Sequence, residues 1–425
     1  MPALHHLRVK LNHLRVKLNK GDLGDGAFLS SLQLCSQLTA LHLERISVSE
    51  STAMAAAAAL ARLPNLRELS LKTDGYSTVG PSALVQHLTA LTSLRMHKAS
   101  PDGSSAPMYA AAARNPGLLS FSVSKLEELN APAAQVQQLL EACPSLTHLN
   151  LQNTCIQQDT VDVLLAHGTS ITSLSAYRIQ PSTSIADRQV SWRKLVLTDE
   201  DHPTVQHLAN LPLQSLTSLQ LSVDPDVRLG LLELPTSSVP AADLPGLLLQ
   251  ATTNLAKCPA WRSKPDPWLM LRDDSVDEPP ADASFTPEQR LQLFQALAPL
   301  GGPHVRIFAL YIEGFDMELG RAEVAALGQS FGKGLEELQL SHVTLAAGFW
   351  AALDNALPSL KGLVLEEEVT CSAADIGIYC GRRTTASRFV VLMSPSIYKR
   401  CGGQQLRKGL QAQGLSHISV HKYEQ

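Results

Sequence analysis

The chain has 425 residues, a formal net charge of −4, 44% hydrophobic residues and only 5% aromatic ones. That balance argues against a general nucleic-acid binder, and with no run of about 18 apolar residues a membrane-spanning helix is not expected. Seven cysteines without C-x-x-C spacing suit a reducing compartment better than a disulfide framework or a zinc site, so a cytoplasmic location is expected.

In chain order, one pattern dominates: L-x-x-L-x-L, spaced 21 to 30 residues within each block. It begins at Leu11 (LNHLRV) and recurs from Leu38, Leu66, Leu91, Leu118, Leu146, Ile171, Trp192 and Leu216. The heptapeptide HLRVKLN occurs twice, at 6–12 and 13–19, and only the second copy keeps the spacing. The first is read as an extension or frayed edge, because seven residues cannot complete a strand, a helix and a return. The frame's fourth and sixth residues alternate around one polar residue, the period of a half-buried strand. Between frames lie helix-forming runs such as Ala53 to Asn65, Ser82 to Ala90 and Ala134 to Ser145, several ended by proline. Cys35 and Cys143 share a late-helix position and are read as packing residues.

After Leu216 the frame lapses until Val305. A helix is expected over 244–258. A degenerate strand is expected at 266–271, with Leu269 and Leu271 in the fourth and sixth places. An acidic loop follows, containing Asp273, Asp274, Asp277, Glu278 and Asp282. A further helix over 286–302 should be capped by Thr286 with Pro287 in its first turn. Frames then resume at Val305, Leu335, Leu360, Phe389 and Leu415. GQSFGKG, 328–334, is read as a helix-terminating turn.

These frames resemble the leucine-rich repeat, most closely its intracellular ribonuclease-inhibitor-like and F-box-associated classes. The resemblance implies an α/β solenoid (horseshoe), with parallel strands on the concave face and helices on the convex face. The expected organisation is a basic N-terminal extension (1–10), a first repeat block (11–222), an irregular insert with one degenerate repeat (223–304), the alternative being a flexible linker between two horseshoes, and a second block (305–425).

The third, fifth and seventh frame positions point away from the helices. His42, Glu44, Lys72, Arg95, His97, His148, Asn150, Tyr177, Lys194, Tyr311 and Gln339 are therefore the candidate partner-binding residues. Arg95, His97, Tyr177 and Tyr311 are their anchors, since arginine and aromatic side chains dominate interface energies. Basic residues collect at both ends: Arg8, Lys10, Arg15, Lys17 and Lys20, then Arg382, Arg383, Arg388, Lys399, Arg400, Arg407, Lys408 and Lys422. An acidic partner there is a further expectation, set against plain solvation. No G-x-S-x-G, phosphate loop, H-E-x-x-H or dinucleotide fingerprint occurs, so no enzyme activity, cofactor or metal is expected. The expected role is a monomeric protein-interaction scaffold. The alternatives are a structural component of a cytoskeletal or ciliary (axonemal) assembly and a substrate-recognition subunit of a ubiquitin ligase.

Overall fold

The structure, a computed structural model, describes residues 4–10, 13–22, 35–47, 50–73, 81–97, 106–124, 130–198, 204–221, 231–263, 268–273, 285–302, 304–313, 317–346, 348–366, 368–383 and 388–423. Two compact units divide the chain: 1–200 with 215–223, and 201–214 with 224–425.

The first unit carries a ten-stranded sheet in strict sequence order. Its strands are β1 (Leu4–Lys10), β2 (His13–Asp22), β3 (Ala40–Ser47), β4 (Glu68–Thr73), β5 (Ser93–His97), β6 (Ser120–Ser124), β7 (His148–Gln157), β8 (Ser173–Gln180), β9 (Lys194–Leu197) and β10 (Ser218–Gln220). From β2 onward every pairing is parallel. Sequential parallel neighbours need a crossover between strands. The return segments supply it, with helices at Glu50–Ala61, Ser82–Val85, Ala106–Ala112, Ala133–Ala142 and Gln158–His167.

The duplicated heptapeptide has a structural meaning. Residues 6–10 of the first copy lie in β1, which pairs antiparallel with β2 from Lys10↔His13 to Leu4↔Leu18. The 1–10 extension thus contributes a hairpin strand along the outer edge of β2, where an unpaired edge would invite association.

A shared hydrogen-bond device sets the register. The carbonyl at the frame's second place accepts two backbone N–H groups from the next repeat. Thr39 O receives Arg67 N and Glu68 N at 2.8 and 3.0 Å. Thr92 O, Leu119 O, Thr147 O, Thr172 O and Arg193 O each do the same for the following strand. Where the second place is threonine, its hydroxyl adds a bond to the preceding carbonyl, as from Thr147 to Leu119 O at 3.0 Å. Inside the sheet the fourth and sixth places are buried throughout, from Leu41 and Leu43 to Leu195 and Leu197. Two buried polar side chains in the returns are matched. Asn115 Oδ1 accepts from Leu91 N at 2.9 Å, and the Cys143 thiol donates to Asn115 O at 3.2 Å. Burial pushes that thiol up to about 11. Cys143 is therefore the packing residue expected, whereas Cys35 is exposed.

The second unit holds a seven-stranded parallel sheet. Its strands, numbered along the chain with a separate pair, are β11 (Leu231–Leu234), β12 (Trp268–Asp273), β13 (Ile307–Tyr311), β14 (Met317–Leu319), β15 (Glu337–Ser341), β16 (Val343–Leu345), β17 (Gly362–Leu365), β18 (Phe389–Met393) and β19 (Ile418–Lys422). β14 and β16 form the pair; the others make the sheet in chain order.

β12 is the expected degenerate strand, with Leu269 and Leu271 fully buried. The helix Leu244–Lys257 is present. So is Pro287–Gln295, closed by a capping box in which Gln289 N donates to Thr286 Oγ1 at 3.2 Å. The segment between the blocks nevertheless supplies two strands, β11 and β12, where frame spacing predicts one. Of the acidic loop, Asp273 is the described member. It is buried and accepts from Glu313 N at 3.2 Å, a structural rather than solvated carboxylate. Asp266, Asp274, Asp277, Glu278 and Asp282 lie outside the described residues.

GQSFGKG does end a helix, Arg321–Phe331, but Gly328 has a second role. A Cβ there would lie 2.6 Å from Ala356 O, so its lack of a side chain lets the neighbouring helix, Phe349–Ala356, pack closely. The Phe389 frame needs a correction. A frame starting at Phe389 puts Leu392 inward; instead Phe389, Val391 and Met393 are buried, and Val390 and Leu392 are half-exposed. A one-residue slip exchanges the two faces of a strand.

Candidate binding face

Because Cβ atoms alternate along a strand, burial of places four and six leaves places three, five and seven on the opposite side of each sheet. Parallel pairing then lines these places up in rows. In the first unit the fifth-place row reads His42, Ser70, Arg95, Ser122, Asn150, Ser175, Val196 and Gln220. The third-place row runs Glu68, Ser93, Ser120, His148, Ser173 and Lys194. The seventh-place row includes Glu44, Lys72, His97 and Ser124.

All nine first-unit candidates fall on this one face. Lys72, Arg95, His148 and Lys194 are exposed; His42, Glu44, His97, Asn150 and Tyr177 are half-exposed. Several are already oriented. His97 Nδ1 lies 2.6 Å from Ser124 Oγ, Thr147 Oγ1 lies 2.8 Å from His148 Nδ1, and Asn150 Oδ1 accepts from Gln152 N at 3.0 Å. The Arg178 guanidinium carbon sits 5.6 Å from the Tyr177 ring centroid. Arg95 and Tyr177 stand three strands apart, roughly 14 Å at the usual interstrand spacing.

The second unit presents different chemistry on the equivalent face. Its third-place row is Trp268, Ile307, Glu337, Gly362 and Val390; its fifth-place row is Met270, Ala309, Gln339, Val364 and Leu392. Leu231 continues the latter beside Met270. Trp268, Met270, Ile307, Val390 and Leu392 are half-exposed. The two candidates here sit within this face. Gln339 donates to Glu337 Oε1 at 2.6 Å, and the Tyr311 ring lies 5.2 Å from His342 in an edge-on contact. Between β13 and β18 is an open depression of about 480 Å³, floored by Gly362 and Val364. One rim carries the Lys361–Glu336 pair, 2.9 Å apart, and the Lys361 ammonium holds the Glu336 carboxyl below its ordinary range.

The apolar character of this face escaped the polar-ladder reading. The signal was in the sequence, as Trp268, Met270, Ile307 and Val364 at outward frame places. Trp261, by contrast, is buried, with its ring edge-on to His304 at 6.1 Å.

The basic ends separate into two kinds of residue. The side chains of Arg8, Lys10, Arg15, Lys17 and Lys20 lie outside the described set. At the other end Arg382, Arg388, Lys399, Arg400, Arg407, Lys408 and Lys422 are exposed, though Arg400 also donates to Val369 O. Arg383 is buried and belongs to the core. Among the described residues no group of three or more His, Cys, Asp or Glu side chains is placed to hold a metal ion, and no helix is long and apolar enough to cross a membrane.

Stacked strand-and-helix repeats with a parallel sheet in chain order define an α/β solenoid of the leucine-rich-repeat type. No family model matches the chain, and no curated protein does. Among solved structures it is similar to an internalin (inlF) from Listeria monocytogenes, at 16% identity over 85% of this chain and 82% of that one, with a TM-score of 0.41. It is also similar to TLR13 in a complex with ssRNA13, at 15% identity over 91% of this chain and 53% of that one, with a TM-score of 0.27. Neither likeness is close enough to bear on function.

Proposed function

We propose that the chain is a non-catalytic scaffold that binds a protein partner across the helix-free strand faces. One observation carries this reading: on the second unit's sheet Trp268, Met270, Ile307, Val390 and Leu392 stand half-exposed in adjoining rows. They form two apolar patches, one on β12–β13 and one on β18, with Glu337, Gln339, Gly362 and Val364 between them; apolar surface gains free energy when covered, and on soluble proteins it marks contact sites. The first unit's face adds charged, imidazole and phenol groups suited to specificity.

A protein partner is favoured over nucleic acid by the charges among these rows. Glu44, Glu68, Glu337 and Glu366 occupy outward frame places, and carboxylates repel a phosphate backbone. The working expectation is a cytoplasmic monomer of the ribonuclease-inhibitor-like or F-box-associated repeat class. The exposed basic residues of the C-terminal repeats offer a secondary contact for an acidic partner.

The test is crosslinked affinity capture from native cells with three forms: wild type, Arg95→Ala/Tyr177→Ala, and Val390→Asp/Leu392→Asp. Loss of the same proteins from either face variant, with unchanged circular dichroism, supports the reading. Ubiquitin-ligase components among them identify a substrate-recognition role, and tubulin or axonemal proteins a structural one. An unchanged set from both variants contradicts it.

A further inference from the structure

The C-terminal repeats bring two thiols together. Cys371 precedes the helix Ala373–Arg382, and Cys401 closes the short helix Pro395–Arg400 in the next repeat. Their sulfur atoms are 3.8 Å apart, and Cys401 Sγ also lies 3.7 Å from Cys371 O. The approach is held by neighbours: the Arg400 guanidinium donates to Val369 O, tying the segment before Cys371 to the helix end that carries Cys401. A disulfide needs sulfurs at roughly 2.05 Å, so closure is a movement of under about 2 Å shared between two side chains. The two thiols also differ in access. Cys371 is half-exposed and Cys401 is buried.

We propose that Cys371 and Cys401 are an oxidisable pair that forms a disulfide between consecutive repeats, with a low-molecular-weight disulfide such as oxidised glutathione as the oxidant. The thiolate of the accessible Cys371 attacks one glutathione sulfur, forming a mixed disulfide and releasing one glutathione thiolate. The Cys401 thiolate then attacks the Cys371 sulfur, forming the Cys371–Cys401 bond and expelling the second glutathione. Two thiols lose two protons and two electrons, and one glutathione disulfide becomes two glutathiones. Burial and the neighbouring Cys401 push the Cys371 thiol up to about 12, so the exchange is slow at neutral pH and accelerates as pH rises. The bond closes a loop whose ends are 30 residues apart and locks adjacent repeats in register.

The test uses the full chain, reduced, equilibrated folded with oxidised glutathione, acid-quenched, then alkylated under denaturing conditions and mapped by mass spectrometry. The expected result is a fall in alkylatable thiols from seven to five, with one crosslinked peptide joining Cys371 to Cys401. That peptide disappears in Cys371→Ser and in Cys401→Ser. Because either serine variant alone risks disturbing the repeat, circular dichroism of Cys371→Ala/Cys401→Ala checks the fold, and the wild-type melting temperature should rise on oxidation and fall back with reductant. Seven alkylated cysteines, a persistent glutathione adduct at Cys371, or a crosslink between other cysteines overturns the proposal.

Discussion

Arg383 Nε donates to Asp354 Oδ1 at 3.1 Å, joining the end of one repeat's helix to the helix of the repeat before it. The same guanidinium donates to Leu360 O at 2.7 Å and lies 4.2 Å from the Phe389 ring centroid. A cation held by a carboxylate, a carbonyl and an aromatic face is satisfied despite its burial.

Asp354→Ala removes the counter-charge and leaves Arg383 enclosed. A fully buried pair broken in this way typically costs roughly 3–5 kcal/mol. Here the expected loss is about 2 kcal/mol, since the Asp354 side chain stays 35% exposed and water screens the pair. Urea unfolding measures it. Alanine at exposed Arg382, one residue away, should change stability by under about 0.5 kcal/mol.

By charge alone Arg383 belongs with the basic residues of the C-terminal end; nothing local in the sequence records that Asp354 and Phe389 converge on it. Face assignment, by contrast, was legible wherever apolar and polar residues alternate. Leu94 and Met96 inward fixes Arg95 and His97 outward, as observed. It failed at FVVLM, where five apolar residues in a row carry no phase. β11 had a signal: Leu229, Leu232 and Leu234 satisfy the frame. Its start only 13 residues after Leu216 hid it among shorter-than-usual spacings. The grouping of 201–214 with the second unit has no local signature, since it depends on contacts such as those of Asn254.

That asparagine gives the next prediction. Asn254 Nδ2 donates to both Leu208 O and Leu211 O, each at 2.7 Å, within the second unit. Asn254→Leu leaves two buried carbonyls short of a donor, at about 1–3 kcal/mol. The helix Thr204–Asn210, whose end these bonds hold, should then lose hydrogen-exchange protection before the strands do. Equal loss across the unit would argue that the bonds do not anchor this helix.

The Lys361–Glu336 pair at the rim of the second-unit depression predicts a pH dependence. Glu336 has a folded-state pKa below its unfolded value, so its stabilising contribution is present above the unfolded value. It is lost as pH falls through the folded value. Lys361→Met removes the hydrogen bond that lowers it, and the Glu336 titration midpoint, read by carboxyl carbon NMR, should move upward. An unmoved midpoint would assign the lowering to another charge.

Site-specific photocrosslinking reads directly which face meets the partner. A benzophenone side chain would replace Lys72 or Leu392 on the strand faces, or Met54, 73% exposed on the helix Glu50–Ala61. After irradiation in native cells, covalent adducts to the same protein from Lys72 or Leu392, and none from Met54, are the predicted result. Adducts from Met54 alone would place binding on the helical side and contradict the account.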